Sequence, residues 1–441
     1  MKPWAIALAI LAALFAASGP DTPITQAGMA LFALAGVLWL TEAIPITFTA
    51  LLIPLLAVGL GLGDIKTSLV NFAHPTIFLF LGGFSLAAAM SRHGIDRWLA
   101  SSIMALARGN AIAAAFLFIV ATSLISMWIS NTATAVMMLP VAMGLLSPLQ
   151  DRFPRYSILV LLGLAWGANI GGIATLVGSP PNAITAAALG WGFDDWLRIG
   201  IPAYLVIMPV SLVLLWLTLR PETNLPAITT KVMPFPSGRD ARLTIIIFLL
   251  TVSLWVFGKS VAEMMNITSD FDTWVALLAI ALLGLTRVLT WTNIEQQSNW
   301  GVLLLFGGGI TLSTLMQSSG ASQWMANGLL EWIPGNNPWL LYLMVALFVI
   351  FLSELVSNTA CAALLVPLMM TMATVTGLNP VTMAVLTGLA ASCSFMLPVG
   401  TPPNALVYGT GKIPQKTMIR AGLTMNLASA LLLIAVIEVA T

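Results

Sequence analysis

The stretch Ser126-Met127-Trp128-Ile129-Ser130-Asn131-Thr132-Ala133 returns later in the chain as Ser353-Glu354-Leu355-Val356-Ser357-Asn358-Thr359-Ala360, and this recurrence decides the fold. Two further signatures are paired in the same order. Leu81-Gly82-Gly83 matches Phe306-Gly307-Gly308, and Gly178-Ser179-Pro180-Pro181-Asn182-Ala183 matches Gly400-Thr401-Pro402-Pro403-Asn404-Ala405. Ordered pairs at a nearly constant offset are the trace of a duplicated membrane unit.

Each Ser-Asn-Thr lies between two apolar legs: Ala111 to Ile129 then Ala133 to Leu146, and Trp339 to Phe351 then Ala360 to Val375. Length alone does not separate a re-entrant hairpin from two full spans. A loop reaching water usually holds charge, Gly or Pro, and neither Ser-Asn-Thr tip has any. The reading is two helical hairpins whose tips stop inside the membrane, where irregular backbone survives only if protein or a polar cavity satisfies it. The Gly-Ser/Thr-Pro-Pro-Asn segments interrupt the apolar stretches Ile158 to Val177 and Val381 to Val399. Paired prolines remove two backbone donors and disfavour helix at the preceding residue, so a helix must break at each. A proline kink without a ligand is the plain alternative; two copies, each matched to a polar tip, favour a site.

The surrounding composition requires lipid. Of 441 residues 59% are hydrophobic and 7% charged, too little polar surface for a water-soluble particle. Apolar runs recur from Trp4–Ala17 to Leu427–Ile437, enough for about eleven spans of an all-α polytopic protein. The first run, preceded by Lys2 and followed by small residues, could be a signal peptide, but an uncleaved helix is simpler because more apolar segments follow at once. Cys361 and Cys393 sit in apolar segments without metal-ligand spacing and are expected to be core residues. His74 and His93 have no paired metal spacing either and are read as non-catalytic.

Charge sets the expected orientation. With a cytoplasmic N-terminus, one set of loops holds nearly every base: Arg92, Arg97, Arg108, Arg152, Arg155, Arg220, Lys231, Arg239, Arg242, Arg287, Lys412, Lys416 and Arg420. The opposite loops hold Lys66, Arg198 and Lys259 beside Asp21, Asp64, Asp194, Asp195, Glu263, Asp270, Asp272 and Glu331. By the positive-inside rule the basic set faces the cytoplasm. Arg108 and Arg152 then flank the first hairpin on one face while Glu331 precedes the second on the other, so the repeats are inverted.

The tips and breaks should present helix N-termini to an anion and unwound carbonyls to Na+. Their side chains are hydroxyls and amides, with no Lys or Arg in any of these segments. A carboxylate leaving water costs several kcal/mol even after relaxation, and four helix N-termini return at best about 8 kcal/mol together. That leaves no margin for a dianion. Bound cations would supply it, and their effect on substrate affinity is the coupling free energy. Glu354 is the acid expected at membrane depth, hence a functional candidate; bonding to backbone donors to hold the hairpin is weighed above carrying a proton.

These motifs, with Leu81-Gly82-Gly83-Phe84, resemble the divalent anion:sodium symporter family over nearly the whole chain. The resemblance implies eleven transmembrane helices plus two re-entrant hairpins in inverted repeats, a homodimer, and an elevator movement. It implies a scaffold of residues 1–90 and 242–315, a transport domain of 110–219 and 338–441, arms at 91–109 and 316–337, and a cytoplasmic loop at 220–241. Carried over by motif, one Na+ site uses Ser126, Ser130, Asn131 and Gly178, and the other Ser353, Val356, Asn358 and Gly400. The substrate carboxylates meet Asn131, Thr132, Ser179 and Pro180 from one half, and Asn358, Thr359, Thr401 and Pro402 from the other.

The function implied is sodium-coupled symport of C4 dicarboxylates such as succinate, malate and fumarate. The partners implied are the dicarboxylate, Na+, membrane lipid and a second copy of the chain, with no nucleic acid. Rival readings are a sodium-independent dicarboxylate exchanger and a citrate or sulfate carrier on the same scaffold. An intramembrane hydrolase is disfavoured because Ser130 and Ser357 have no His or Lys nearby in their segments, and a channel because no continuous polar stripe or charged ring appears. Short loops suggest a bacterial inner membrane; Asn266-Ile267-Thr268 would be a glycosylation acceptor only in a eukaryote.

Overall fold

The computed structural model describes residues 2–149, 152–227, 233–267, 269–330 and 337–440, and every regular element among them is helical. Lys231, Glu331 and Thr268, and with them parts of the 220–241 connection and the 316–337 arm, lie outside the described residues. Among the described residues eight helices are long and apolar enough to cross a membrane, or nine if Arg239–Val256 and Gly258–Met265, bent by 86°, form one span; two of the eight, Asn131–Leu149 and Asn358–Thr376, belong to hairpins and do not count as crossings. Shorter apolar helices, including Pro3–Ala17, Ile46–Gly59 and Phe271–Leu285, and the broken pair Pro380–Ala391 and Pro402–Tyr408 complete the arrangement of about eleven crossings.

The hairpins are Ala111–Ser126 with Asn131–Leu146, and Pro338–Ser353 with Asn358–Thr376. Each incoming leg has 16 residues, about 24 Å of helix at 1.5 Å per residue against roughly 30 Å of hydrocarbon. Neither leg reaches across alone, and both end in a polar turn packed against protein. Asn110 starts the first by accepting from Ala113 N at 3.0 Å, and Asn337 starts the second by accepting from Trp339 N at 3.1 Å. Both outgoing legs carry an interior proline, Pro140 and Pro367, a further match between the repeats.

The broken helix Pro154–Ile173 is enclosed on every side, which suits a segment apolar all round. Its partner Pro380–Ala391 is almost as enclosed. In space the glycine signatures match with a shift of one residue. A Cβ on Gly82 would come within 2.6 Å of Ala276 Cβ, and one on Gly308 within 2.7 Å of Ala50 Cβ. The next residues, Gly83 and Gly309, face Val177 and Ala363 of the broken-helix and hairpin elements. Gly308-Gly309 therefore plays the part of Gly82-Gly83, because close helix packing selects for small residues on a face rather than for a string of letters.

Candidate functional site

In the first half the helix stops at Ile173 and restarts at Pro180. Asn182, fully buried, reaches back across this break and donates to Gly172 O at 2.8 Å and Thr175 O at 2.7 Å. The Thr175 hydroxyl donates to Met127 O and so ties the break to the hairpin tip. Ser126, buried at the end of the incoming leg, donates to Ala168 O at 2.7 Å. Ser130 caps the outgoing leg by accepting from Ala133 N at 3.4 Å.

Asn131 opens that leg, and its amide is the centre of this half-site. With nitrogen turned inward it donates to Ser126 Oγ at 3.0 Å, Ala168 O at 3.1 Å and Gly178 O at 3.3 Å. With oxygen turned inward, the same neighbours leave four oxygens facing one another, and the single Ser126 proton cannot serve them all. An amide, a hydroxyl and two carbonyls of broken or adjoining helix are groups of the kind that suits Na+, and the structure brings Ser126, Asn131 and Gly178 together, with Ala168 O as a neighbour that sequence reading missed.

The second half repeats the clip with a different tether. Asn404 donates to Leu397 O at 3.0 Å and Ser394 O at 3.2 Å. Glu354, fully buried, accepts from Phe395 N, Met396 N, Leu397 N and Asn426 Nδ2, each at 2.7 Å. This carboxylate is committed to holding the unwound segment, the structural role weighed first from the sequence. Ser353 donates to Ile350 O at 2.9 Å and lies 3.4 Å from Ser394 Oγ. Val356 is buried, and Gly400 N donates to Leu397 O at 3.1 Å. Asn358 Oδ1 is buried with no hydrogen-bond partner among the described residues. An amide oxygen in this state is an acceptor left without a hydrogen bond.

The halves interlock. Helix Pro402–Tyr408 of the second packs on Asn131–Leu146 and Pro154–Ile173 of the first, while Pro180–Leu189 packs on Asn358–Thr376. Thr401 and Ser179 stand at the N-cap positions of these two helices. Thr132 and Pro402 are exposed, Asn131, Pro180 and Asn358 half-buried, and Ser179, Thr359 and Thr401 buried. The expected helix N-termini are present, but prolines occupy the first two positions of Pro180–Leu189 and Pro402–Tyr408. Those ends lack two backbone donors each, and hydrogen-bond donation there rests more on the Ser179 and Thr401 hydroxyls than the N-terminal argument supposes.

Asn169 was also missed. It is fully buried in Pro154–Ile173 and donates to Thr401 Oγ1 at 3.1 Å and Ser394 O at 3.3 Å, a direct link between the halves. Its signal was available: an amide inside an otherwise apolar helix.

A family model described as Citrate transporter matches residues 36–331, and one described as Sodium:sulfate symporter transmembrane region matches residues 234–440. The chain is 46% identical to an uncharacterized transporter of Haemophilus influenzae, covering 92% of this chain and 90% of that one. It is 32% identical to the sodium-dependent dicarboxylate transporter SdcS of Staphylococcus saprophyticus, covering 90% and 83%. The crystal structure of the YdaH transporter of Alcanivorax borkumensis superimposes with a TM-score of 0.55 at 15% identity, over 85% of this chain and 86% of that one, a likeness of fold alone. Together with two hairpins and two broken helices in a repeated, apolar helical chain, these relationships make the protein an integral membrane carrier, not an enzyme, and it belongs to the divalent anion:sodium symporter family.

Proposed function

We propose that the chain couples inward movement of Na+ to uptake of a C4 dicarboxylate such as succinate, malate or fumarate. The observation that carries this reading is the set of oxygens gathered around the Asn131 amide, Ser126 Oγ, Ala168 O and Gly178 O, which suits Na+ when the amide oxygen joins them. The name of the staphylococcal relative points the same way. On this reading Ser126, Ser130, Asn131 and Gly178 hold one Na+, and Ser353, Val356, Asn358 and Gly400 the other. Asn131, Thr132, Ser179, Pro180, Asn358, Thr359, Thr401 and Pro402 meet the anion.

The movement proposed is an elevator. Residues 110–219 and 338–441 slide as one body against 1–90 and 242–315, with arms at 91–109 and 316–337, in a homodimer. The smooth glycine faces at Gly83 and Gly309 support this division, because they meet the hairpin and broken-helix elements without interlocking side chains. The distribution of Lys and Arg supports a cytoplasmic N-terminus, and short loops support a bacterial inner membrane.

The test is uptake of labelled succinate into proteoliposomes of the purified protein, with an inward Na+ gradient and then with choline replacing Na+ on both sides. Uptake confined to the Na+ arm is expected. Uptake without Na+ but dependent on internal dicarboxylate would make the protein an exchanger and overturn the cation assignments. Excess unlabelled citrate or sulfate, the anions named by the two family models, should compete less well than malate; the reverse order would reassign the substrate.

A further inference from the structure

The Thr401 hydroxyl is held from behind. Asn169 donates to its oxygen at 3.1 Å from one side, and the backbone N–H of Asn404 donates at 3.2 Å from another. A hydroxyl has two acceptor lone pairs and one proton. Both lone pairs are engaged, so the proton is the polar capacity that remains, and it points away from these two donors. Asn169 cannot reverse the arrangement by turning its amide. Its nitrogen also faces Ser394 O at 3.3 Å and Asn404 Oδ1 at 3.5 Å, and an amide oxygen in that place would meet two acceptors. The cost of this orientation is visible, since Asn169 Oδ1 is buried without a partner among the described residues.

The first half has no such device. Ser179 occupies the position equivalent to Thr401 and makes no cap to its own helix, and among the described residues no donor commits its hydroxyl to one direction. The two ends of the pocket therefore differ in polarity although their motifs match. Resting on the placement of Thr401 in the anion site, we infer that Asn169 is a positioning residue that commits Thr401 to donate into the pocket. This end then favours an ionised carboxylate oxygen, a charge-assisted acceptor about twice as strong as a neutral one. It has no acceptor to offer a protonated carboxyl group, whereas the Ser179 end can serve either form. Asn169 thus biases the carrier toward the fully ionised dicarboxylate.

The experiment is a two-residue cycle, Asn169→Ala, Thr401→Val and both together, read as the KM for succinate in Na+-driven proteoliposome uptake across the second ionisation of succinic acid. Thr401→Val should raise KM about tenfold through loss of one bond to a charged group. Asn169→Ala should raise it by a comparable factor at neutral pH, with the half-saturating Na+ concentration unchanged, and should add less than about twofold to Thr401→Val. As pH falls, KM should climb less steeply in Asn169→Ala than in the parent, because a freed hydroxyl can also accept from the half-protonated substrate. A merely structural role would give additive losses and a pH profile parallel to the parent, and either result overturns the inference. Should the alanine variant not fold, Asn169→Ser, which keeps a polar group but is too short to reach Thr401, carries the same test. An unchanged KM in Thr401→Val would instead remove Thr401 from the anion site, a failure of the underlying reading. A raised KM in Thr401→Val beside an unchanged one in Asn169→Ala sinks the positioning role alone.

Discussion

In the first half the chain leaves its helix after Ile173 and re-enters at Pro180; in the second it leaves after Ala391 and re-enters only at Pro402. Both breaks use the same clip, the asparagine of Pro-Pro-Asn turned back onto carbonyls of the unwound turn. They differ in what the extra length exposes. The longer break frees the N–H groups of Phe395, Met396 and Leu397, which at this depth need an acceptor, and the Glu354 carboxylate takes all three. In the shorter break Met127 stands where Glu354 does, tethered through its carbonyl by Thr175. One half thus serves its freed N–H groups with a charge and the other has an uncharged Met127 at that place, and duplicated motifs need not give electrically equal half-sites.

The comparison can be attacked first at what the halves share. Asn131→Ala and Asn358→Ala should each abolish succinate uptake while the protein still elutes as a folded species from size exclusion. Full activity in either would remove that tip from the site. Where the halves differ, Glu354→Gln should cost about 3 kcal/mol or more, since the glutamine turns amide hydrogens toward donors and leaves buried N–H groups unpaired. Thermal unfolding in detergent would read this, and a midpoint equal to the parent's would show that donor supply does not explain the carboxylate. The smallest effect is expected at the clip: Asn182→Ala and Asn404→Ala should each cost about 1–3 kcal/mol, by similar amounts. A clear inequality in unfolding midpoints would mean that the common asparagine has two different jobs.

Much of this architecture was legible beforehand because its causes are local. Consecutive prolines break a helix wherever they stand, and Ser130-Asn131-Thr132 or Ser357-Asn358-Thr359 between apolar legs needs shelter whatever surrounds it. Less legible was the division of labour among the amides. Asn131, Asn182 and Asn404 look alike in a list of polar residues, yet Asn182 and Asn404 spend their nitrogens on carbonyls of their own breaks, while Asn131 faces a ring of oxygens. The four-fold engagement of Glu354 was equally hidden, because the donation it receives from Asn426 and the 395–397 backbone depends on how the second break unwinds.

Hydropathy, proline placement and repetition therefore settled in advance that this is a duplicated, membrane-spanning helical chain with two tips and two breaks, since each of those features acts on the backbone within a few residues. The surroundings of the Thr401 hydroxyl were settled only by packing. Asn169 and Thr401 stand 232 positions apart, in different halves, and the direction of a hydroxyl proton depends on which donors the folded chain carries to its oxygen.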